Sequence, residues 1–326
     1  MNKRRVLFAI RNPEARRQAG LAKAIQVARA LGASLELFHA ICDPIFIELT
    51  RLADQSVDAL RERVEAESRT ALERLCAKVR RHGVEARPSV EWDYPPHEAV
   101  VRRAQAIKAD LIIAECHQGA RTRAWLIHLT DWELLRLSPM PVLLIRNAKP
   151  YRRPLTLAAV DPAHAHAKPT QLDERILAAA SEFSKVLRGE LHVMHANFPS
   201  IVGIVTPETQ AWATLTFEEL LAQERAAFEA FRRNMRVPRT RAHLVEGNPV
   251  TVIPRLADEL GADLVVMGAL SRSGLQRVFI GNTAERVLGA LNCDVLVVKP
   301  EKFALRIAAE PRGIRVQAPP TPVLTA

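Results

Sequence analysis

Apolar residues along the chain follow two alternating patterns. Short continuous apolar runs, such as residues 6–10 and 264–267, predict strands that are buried on both faces. Longer stretches with interleaved charges, such as Leu60–Arg81, predict amphipathic helices. Because a helix must carry the chain back between two parallel strands, this alternation predicts an α/β fold with a parallel sheet.

The pattern occurs twice. The stretch DLIIAECHQ from Asp110 aligns without a gap with DLVVMGALS from Asp263, an offset of 153, and Pro96 aligns with Pro249 at the same offset. Such an internal repeat predicts two domains, each with the order β-α-β-α-β-α-β-α-β. The predicted divisions are a first domain at residues 1–150, a second at 151–300, a linker at 147–154 and a disordered tail at 301–326, which carries four prolines.

One stretch of the second half has the layout of an anion site. The strand at residues 264–267 leads into a glycine-bearing loop and then into a helix start at Asn282 and Thr283. Exposed backbone N–H groups and the positive end of a helix suit an anionic group, and ligands of parallel sheets bind at the carboxyl ends of the strands. A second interpretation stays open, in which Asn282 and Thr283 only cap the helix.

The same stretch resembles the nucleotide loop of the universal stress proteins, G-x-x-G-x(9)-G-[ST]. Gly268 matches the first glycine and Gly281 the third, while Ser271 stands at the second glycine. Asn282 stands at the hydroxyl position, with Thr283 directly after it. The resemblance implies that this loop holds the phosphates of ATP or a related adenine nucleotide, with no metal beyond the Mg²⁺ that a nucleotide brings.

Two further residues complete the predicted site. Asp161 follows the first strand of the second half, and the resemblance implies that this aspartate lies beside the bound nucleotide. Arg272 directly follows Ser271 in this loop, and its guanidinium is able to donate hydrogen bonds to phosphate oxygens. An exposed loop arginine with no ligand is the alternative for Arg272.

The first half has lost the loop pattern. At the 153 offset, Glu115 replaces Gly268, Gln118 replaces Ser271 and His128 replaces Gly281. An acid repels phosphate and a histidine blocks the approach to the backbone, so no nucleotide is expected there. With TDWELLR from Thr130 in the first half and GNTAERV from Gly281 in the second, the chain resembles the tandem E-type branch of the family. The resemblance implies two fused universal stress domains, each an open, mostly parallel, Rossmann-like sheet of five strands with helices on both faces.

The composition limits the classes of binding partner and the cellular location that we expect. The net charge is +10, but basic and acidic residues are interleaved and aromatic residues make up 5% of the chain, so sequence-specific nucleic acid is not predicted. No apolar run is long enough to span a membrane, and the basic N-terminus followed by a short apolar run reads as a first strand, so a cytoplasmic protein is expected. Four widely spaced cysteines without a C-x-x-C pair predict buried thiols in a reducing compartment.

Motifs of common catalytic sites are missing: the sequence contains no P-loop, no G-x-G-x-x-G and no H-E-x-x-H. His164 and His166 after Asp161 are interpreted as solvated, and no metal site is predicted. The leading hypothesis is a non-catalytic stress-response protein that binds an anionic small molecule in its second half. The alternatives are a carrier of an apolar or lipid-like ligand, using the apolar stretch at residues 199–215, and an interaction scaffold. In the scaffold the two halves mimic the dimer of single-domain relatives, and a homodimer of the chain is a further expectation.

Overall fold

The computed structural model describes residues 3–16, 18–43, 45–46, 56–116, 132–163, 171–198, 217–268, 282–301, 303, 307–314 and 316–317. Within them the chain forms two compact units, unit 1 with Met1–Pro150 and Ala304–Ala326, and unit 2 with Tyr151–Phe303. No helix of these segments is both long enough and apolar enough to cross a bilayer.

Unit 1 alternates strands and helices in chain order. Its elements are β1 (Arg5–Ala9), α1 (Leu21–Ala30), β2 (Ser34–Ile41), β3 (Ile45–Phe46), α2 (Val57–Arg81), β4 (Ala86–Trp92), α3 (Pro96–Ala106), β5 (Leu111–Glu115), α4 (132–137) and β6 (Val142–Ile145).

Unit 2 repeats this order. Its elements are β7 (Leu155–Ala159), α5 (Leu172–Val186), β8 (Glu190–Asn197), α6 (Phe217–Asn234), β9 (Ala242–Glu246), α7 (Pro249–Leu260), β10 (Leu264–Gly268), α8 (Asn282–Ala290) and β11 (Asp294–Val298). The last element, the two-residue strand β12 (Val316–Gln317), belongs to unit 1 and pairs with β3.

Each unit contains five parallel strands, which confirms the predicted fold class. The order is β4-β2-β1-β5-β6 in unit 1 and β11-β10-β7-β8-β9 in unit 2. The path from β7 to β8 therefore runs in one direction and the path from β9 to β10 in the other. Since parallel crossovers are right-handed, the connecting helices cover both faces of the sheet.

The helix ends show why these residues form helices. Pro96 and Pro249, which align in the internal repeat, are the first residues of α3 and α7, where proline's missing N–H costs nothing. The Asn248 side chain caps α7 by accepting a hydrogen bond from the Val250 N–H at 2.9 Å. Gly261 ends the same helix at φ 63°, a conformation that favours glycine.

One predicted helix is too long. The periodicity predicts a helix from Glu14 to Leu31, but α1 begins at Leu21. The Asn12 side chain instead accepts a hydrogen bond from the Glu14 N–H at 2.9 Å, and the Gln18 side chain donates to the Asn12 carbonyl at 2.7 Å. Asparagine closes a local turn of this kind readily, and the turn displaces the first helical turns that the apolar spacing favoured.

The end of the chain returns to unit 1 at a buried carboxylate. Asp93 is fully buried, and its Oδ2 accepts hydrogen bonds from Arg102 Nε at 2.9 Å and Nη2 at 2.6 Å. Its Oδ1 accepts the backbone N–H groups of Tyr94 at 2.8 Å and Arg312 at 2.9 Å. Arg102 also donates to the Ala308 carbonyl at 3.0 Å. Residues 307–314, which the sequence places in a disordered tail, are therefore fixed to the core of unit 1.

Replacing the buried carboxylate is expected to destabilise the protein strongly. Asp93→Asn removes the charge that pairs most closely with the buried Arg102 guanidinium, which keeps only the Ala308 carbonyl and the longer ion pair with Glu98, at 3.3 Å. We expect a loss of about 3 kcal/mol in the free energy of unfolding, measured by urea titration. Glu85→Gln is the matched control, because the Lys3–Glu85 pair is exposed and its loss leaves the urea midpoint unchanged. Equal midpoints for Asp93→Asn and the wild type would contradict this assignment.

The same region makes stability depend on pH. Burial lowers the pKa of His97 to about 4, with Arg312 and Arg102 acting in the same direction and Glu98 against it. An unfolded histidine has a pKa of about 6.5, so the unfolded chain binds more protons between pH 6.5 and 4 and stability falls as the pH falls through that window. We expect the urea midpoint of His97→Gln to change less between pH 7 and 4.5 than that of the wild type. The exposed His82→Gln should follow the wild type, and parallel curves for His97→Gln would refute the prediction.

Candidate functional site

The carboxyl ends of β7 and β10 define the candidate site of unit 2. These strands are neighbours, with Met267 beside Ala159, yet the chain leaves β7 toward β8 and leaves β10 toward β11 on the opposite side. Such a switch of direction opens a crevice between the two connections, the usual ligand position in this class of sheet. The predicted site residues Asp161 and Gly268 lie at its two sides.

The predicted phosphate loop connects β10 to α8. Gly268 is the last residue of β10, and Asn282 is the first helical residue of α8, with an exposed Thr283 beside it. The helix start that the sequence predicts is therefore present at this edge. Ser271, Arg272 and Gly281 lie outside the described residues.

Packing explains the glycine at 268. A Cβ added there would lie 2.8 Å from Leu172 Cδ2 and 3.2 Å from Ile176 Cδ1, both on α5. Contacts this short are rare between a Cβ and other carbon atoms, so a larger residue would force the ends of these two side chains to move. The close contact between α5 and β10 thus favours glycine whether or not a phosphate binds.

A histidine that the sequence interpretation did not assign to the site lies next to Asp161. His195, on β8, is 2% exposed, and its Nδ1 is 3.2 Å from the Val160 carbonyl and 3.9 Å from Asp161 Oδ1. Its Nε2 lies 3.7 Å from Glu224 Oε2 on α6. The Asp161 N–H donates to Asp173 Oδ1 at 2.9 Å, which ties the end of β7 to the start of α5.

Unit 1 contains the same histidine. His39 is the sixth residue of β2, as His195 is the sixth of β8, and its Nδ1 is 2.9 Å from the Ile10 carbonyl. Burial lowers the pKa of His39, so the neutral imidazole is favoured. Because the contact recurs in a unit without the nucleotide loop, we assign it to the fold: it fixes the chain where it leaves the first strand. The signal in the sequence was the repeat of histidine at one strand position.

An acid is the last residue of the corresponding strand of unit 1, β5. Glu115, which aligns with Gly268, accepts a hydrogen bond from the Gly20 N–H through Oε1 at 2.5 Å. Gly20 and Ile176 each lie 14 residues before the first residue of the second strand of their unit. The large and the small residue have thus exchanged places between the units: glutamate faces glycine in unit 1, and glycine faces isoleucine in unit 2.

The other sequence candidates do not assemble a reactive site. Among the described residues no group of three or more His, Cys, Asp or Glu side chains could hold a metal ion. His192 and His195, on opposite faces of β8, do not pair; His192 Nδ1 instead lies 2.8 Å from His243 Nε2. None of the four cysteines, all of which are among the described residues, forms a disulfide, and burial raises the pKa of Cys76 to about 12, which keeps its thiol protonated. Cys42, Cys116 and Cys293 are half-buried, less covered than the sequence suggested.

The exchange between the units is testable by stability. A Cβ on Gly20 would lie 2.8 Å from Glu115 Cγ, so Gly20→Ala should lower the free energy of unfolding by about 1 kcal/mol or more. Adding Glu115→Ala should recover part of that loss, with a coupling of about 0.5 kcal/mol or more in a double-mutant cycle. Gly289→Ala, inside α8 with nothing within 4 Å of the added Cβ, is the control and should stabilise. A stabilising Gly20→Ala would contradict the assignment.

Known proteins can now be compared with this fold. The chain matches the universal stress protein family, over residues 3–146 and 159–299. It is 29% identical over 299 residues to universal stress protein E of Salmonella typhi, covering 91% of this chain and 95% of that protein. It is 27% identical over 298 residues to universal stress protein E of Escherichia coli K12, covering 91% and 94%.

Solved structures agree with the sequence comparison. A crystal structure from Pseudomonas aeruginosa PAO1, of a protein described as functionally unknown, is 26% identical with a TM-score of 0.69, covering 92% of this chain and 93% of the other. A universal stress protein from Archaeoglobus fulgidus shares the fold at a TM-score of 0.60 and 15% identity, covering 91% and 97%. Because the family match covers most of both halves, the chain belongs to the universal stress protein family, with two family domains in tandem.

Proposed function

We propose that this chain is a non-catalytic stress-response protein that binds an adenine nucleotide, or a similar anionic metabolite, in unit 2. The observation that carries the proposal is the position of Asp161 and Gly268 on the two sides of the β7–β10 crevice. These residues are more than one hundred positions apart in the sequence, and the sheet brings the strand ends that carry them together. Universal stress proteins place a nucleotide at this kind of loop, which is the resemblance that the sequence carries.

The phosphate end of the ligand is assigned to the β10–α8 connection. A nine-residue helix begins there at Asn282, and the N–H groups in the first turn of a helix suit an anion. Thr283 is exposed in that turn and able to donate a hydroxyl. Ser271, Arg272 and Gly281 complete the proposed loop. A Mg²⁺ ion would come with the nucleotide.

The nucleoside end is assigned to Asp161. Its carboxylate is partly exposed, and such a group accepts hydrogen bonds from ribose hydroxyls or from an exocyclic amino group. The hydrogen bond from its own N–H to Asp173 fixes the backbone at this point, so the side chain is held at the mouth of the crevice.

Unit 1 is excluded from nucleotide binding by its own acid. The Glu115 carboxylate lies where phosphate would have to approach, and like charges repel in a partly buried place. Arg11 replaces Asp161 at the end of the first strand of this unit. We therefore assign unit 1 a structural role.

Binding rather than catalysis is the proposed activity. A general base must be able to reach a water or a substrate proton, whereas the buried imidazole beside the crevice, His195, contacts the Val160 carbonyl, as His39 contacts that of Ile10. Four described cysteines without a disulfide fit the reducing cytoplasm that we propose as its location.

Equilibrium binding tests the proposal. The purified wild type should bind ATP in calorimetry, and Gly281→Glu should weaken the affinity by about tenfold or more, since it adds a side chain and a negative charge to the proposed loop. His128→Glu makes the matched change at the aligned position of the first half and should leave ATP binding unchanged.

Two results would overturn the assignment. Equal losses in Gly281→Glu and His128→Glu would show that the ligand is not held by the loop of unit 2. Absence of ATP binding by the folded wild type would refute nucleotide binding altogether and leave the scaffold or apolar-ligand interpretations.

A further inference from the structure

Exposed arginines lie at the amino edge of the sheet in unit 2, opposite the candidate site. Parallel strands begin at the same edge, so the segments before β7, β8 and β9 lie side by side. Each segment contains one exposed arginine in the left-handed backbone region: Arg153 at φ 51°, Arg188 at φ 55° and Arg236 at φ 56°. These three arginines form a basic rim. A residue with a Cβ is strained in this conformation, so the backbone by itself favours glycine at each position.

Close contacts join the three segments. The Glu190 N–H, at the start of β8, donates to the Pro154 carbonyl before β7 at 2.9 Å. A Cβ added to Gly189 would overlap that carbonyl oxygen, so the two loops touch. The Arg241 side chain, just before β9, lies 3.0 Å from the Glu190 carboxylate. The basic rim therefore belongs to one continuous surface.

Unit 1 has glycine at two of these positions. Helix α1 ends at Gly32 with φ 63°, and its counterpart α5 ends at Arg188; each of the two residues lies two positions before the next strand. Helix α2 ends at Gly83 with φ 76°, and its counterpart α6 ends at Arg236. In all four cases the residue donates its N–H to the carbonyl three positions earlier, at 2.9 to 3.2 Å. The same helix end thus forms with glycine, and the fold does not explain the arginines.

The exchange is limited to one side of the edge. At the next pair of helices it has the opposite direction, since α3 of unit 1 ends at Lys108 with φ 53° and α7 of unit 2 ends at Gly261 with φ 63°. Two exposed acids, Asp258 and Asp263, lie close to Gly261 in the chain. The edge of unit 2 is therefore basic before β7, β8 and β9, and becomes acidic before β10.

The acids near the basic rim pair with other arginines. Glu190 pairs with Arg241 at 3.0 Å, and Glu229 pairs with Arg232 at 2.8 Å. Within the part of the chain that the structure describes, no acid lies within 4.0 Å of a rim guanidinium. Exposed cations at positions 152 and 185 add to the charge of the same surface. The rim thus offers positive charge that the protein itself does not neutralise.

The surroundings of the rim select among anionic partners. Arginine binds phosphate oxygens through its planar fork of N–H groups. Phe198 is the one large apolar side chain that is exposed among the described residues, and it lies beyond the carboxyl end of β8, at the opposite edge. The described rim therefore has no apolar group to enter a membrane, to anchor a protein partner or to stack on unpaired bases. The phosphate backbone of a duplex requires cations alone.

We propose that the basic rim of unit 2 binds the phosphate backbone of a nucleic acid duplex, independently of base sequence. Neighbouring strands lie about 4.8 Å apart, so the three segments span about 10 Å, over which a duplex presents several phosphates. This surface is at the edge opposite the candidate nucleotide site, and the inference does not depend on the function proposed for that site.

Fluorescence anisotropy with two labelled DNA duplexes of unrelated sequence tests the proposal, over salt concentrations of about 50 to 200 mM. Arg188→Gly combined with Arg236→Gly gives unit 2 the residues of unit 1. We expect duplex affinity to fall about tenfold at low salt, and the slope of log affinity against log salt to decrease by about 2, because two phosphate contacts are lost. The melting temperature should stay equal or rise, since glycine relieves the left-handed backbone.

A matched control removes the same charge from unit 1. Lys78→Gln combined with Lys108→Gly takes away two exposed cations, one of them also from a left-handed position, and should keep the wild-type duplex affinity. Equal losses in the two double variants would overturn the proposal, because net charge alone would then explain the binding.

Other results would also contradict the assignment. Unchanged duplex affinity in the Arg188 and Arg236 variant, or a wild type that binds neither duplex, would refute it. A wild type that prefers one duplex sequence tenfold would refute backbone recognition. A variant that melts below the wild type would show that the arginines serve the helix ends. Wild-type binding to vesicles that contain phosphatidylserine, without binding to either duplex, would assign the rim to a membrane surface instead.

Discussion

Parallel pairing of neighbouring strands is the constraint on which the rest of each unit depends. Main-chain hydrogen bonds between β7 and β10 hold two segments together that are separated by more than one hundred residues. Because β8 and β11 lie on opposite sides of this pair in the strand order, the chain leaves the two strand ends in opposite directions. This geometry brings Asp161, Gly268 and the first turn of α8 to the same edge of the sheet. Without the strand pairing, nothing in the sequence would bring these residues together.

Comparison of the two units distinguishes residues that the fold requires from residues that a ligand would require. Features present in both units, such as the histidines at 39 and 195, belong to the construction of the domain. Features present in one unit only record divergence after duplication. The exchange of glutamate and glycine is of this kind, because in each unit one partner had to become small when the other became large. In a tandem protein, each domain can therefore serve as the reference for the other.

Much of the fold could be predicted from the sequence, because its signals are local. Buried strands are continuous apolar runs, and Pro96, Pro249 and Gly261 mark helix ends by their own backbone preferences. The start of α1 was missed because a side-chain turn at Asn12 competes with helical periodicity. The docking of residues 307–314 could not be predicted, since the hydrogen bond from Arg312 to Asp93 joins residues 219 positions apart.

The site was predictable only in part. The rule that parallel sheets bind ligands at their carboxyl ends selects the strand ends before Asp161 and Gly268, which lie on neighbouring strands. The role of Asp161 came from the family resemblance, and both residues stay predictions as ligand contacts. Ser271, Arg272 and Gly281 stay predictions.

The hydrogen bonds that join Asp93 and Arg102 to the end of the chain also have a consequence for biosynthesis. The Ala308 carbonyl and the Arg312 N–H reach Arg102 and Asp93 from 206 and 219 positions further along the chain. A ribosome therefore releases Arg312, one partner of the first domain's buried aspartate, and Ala308, one partner of Arg102, after the whole second domain has been translated. The domain that is synthesised first is completed last, and a nascent chain that stops before this segment carries a first domain whose buried charges lack their final contacts.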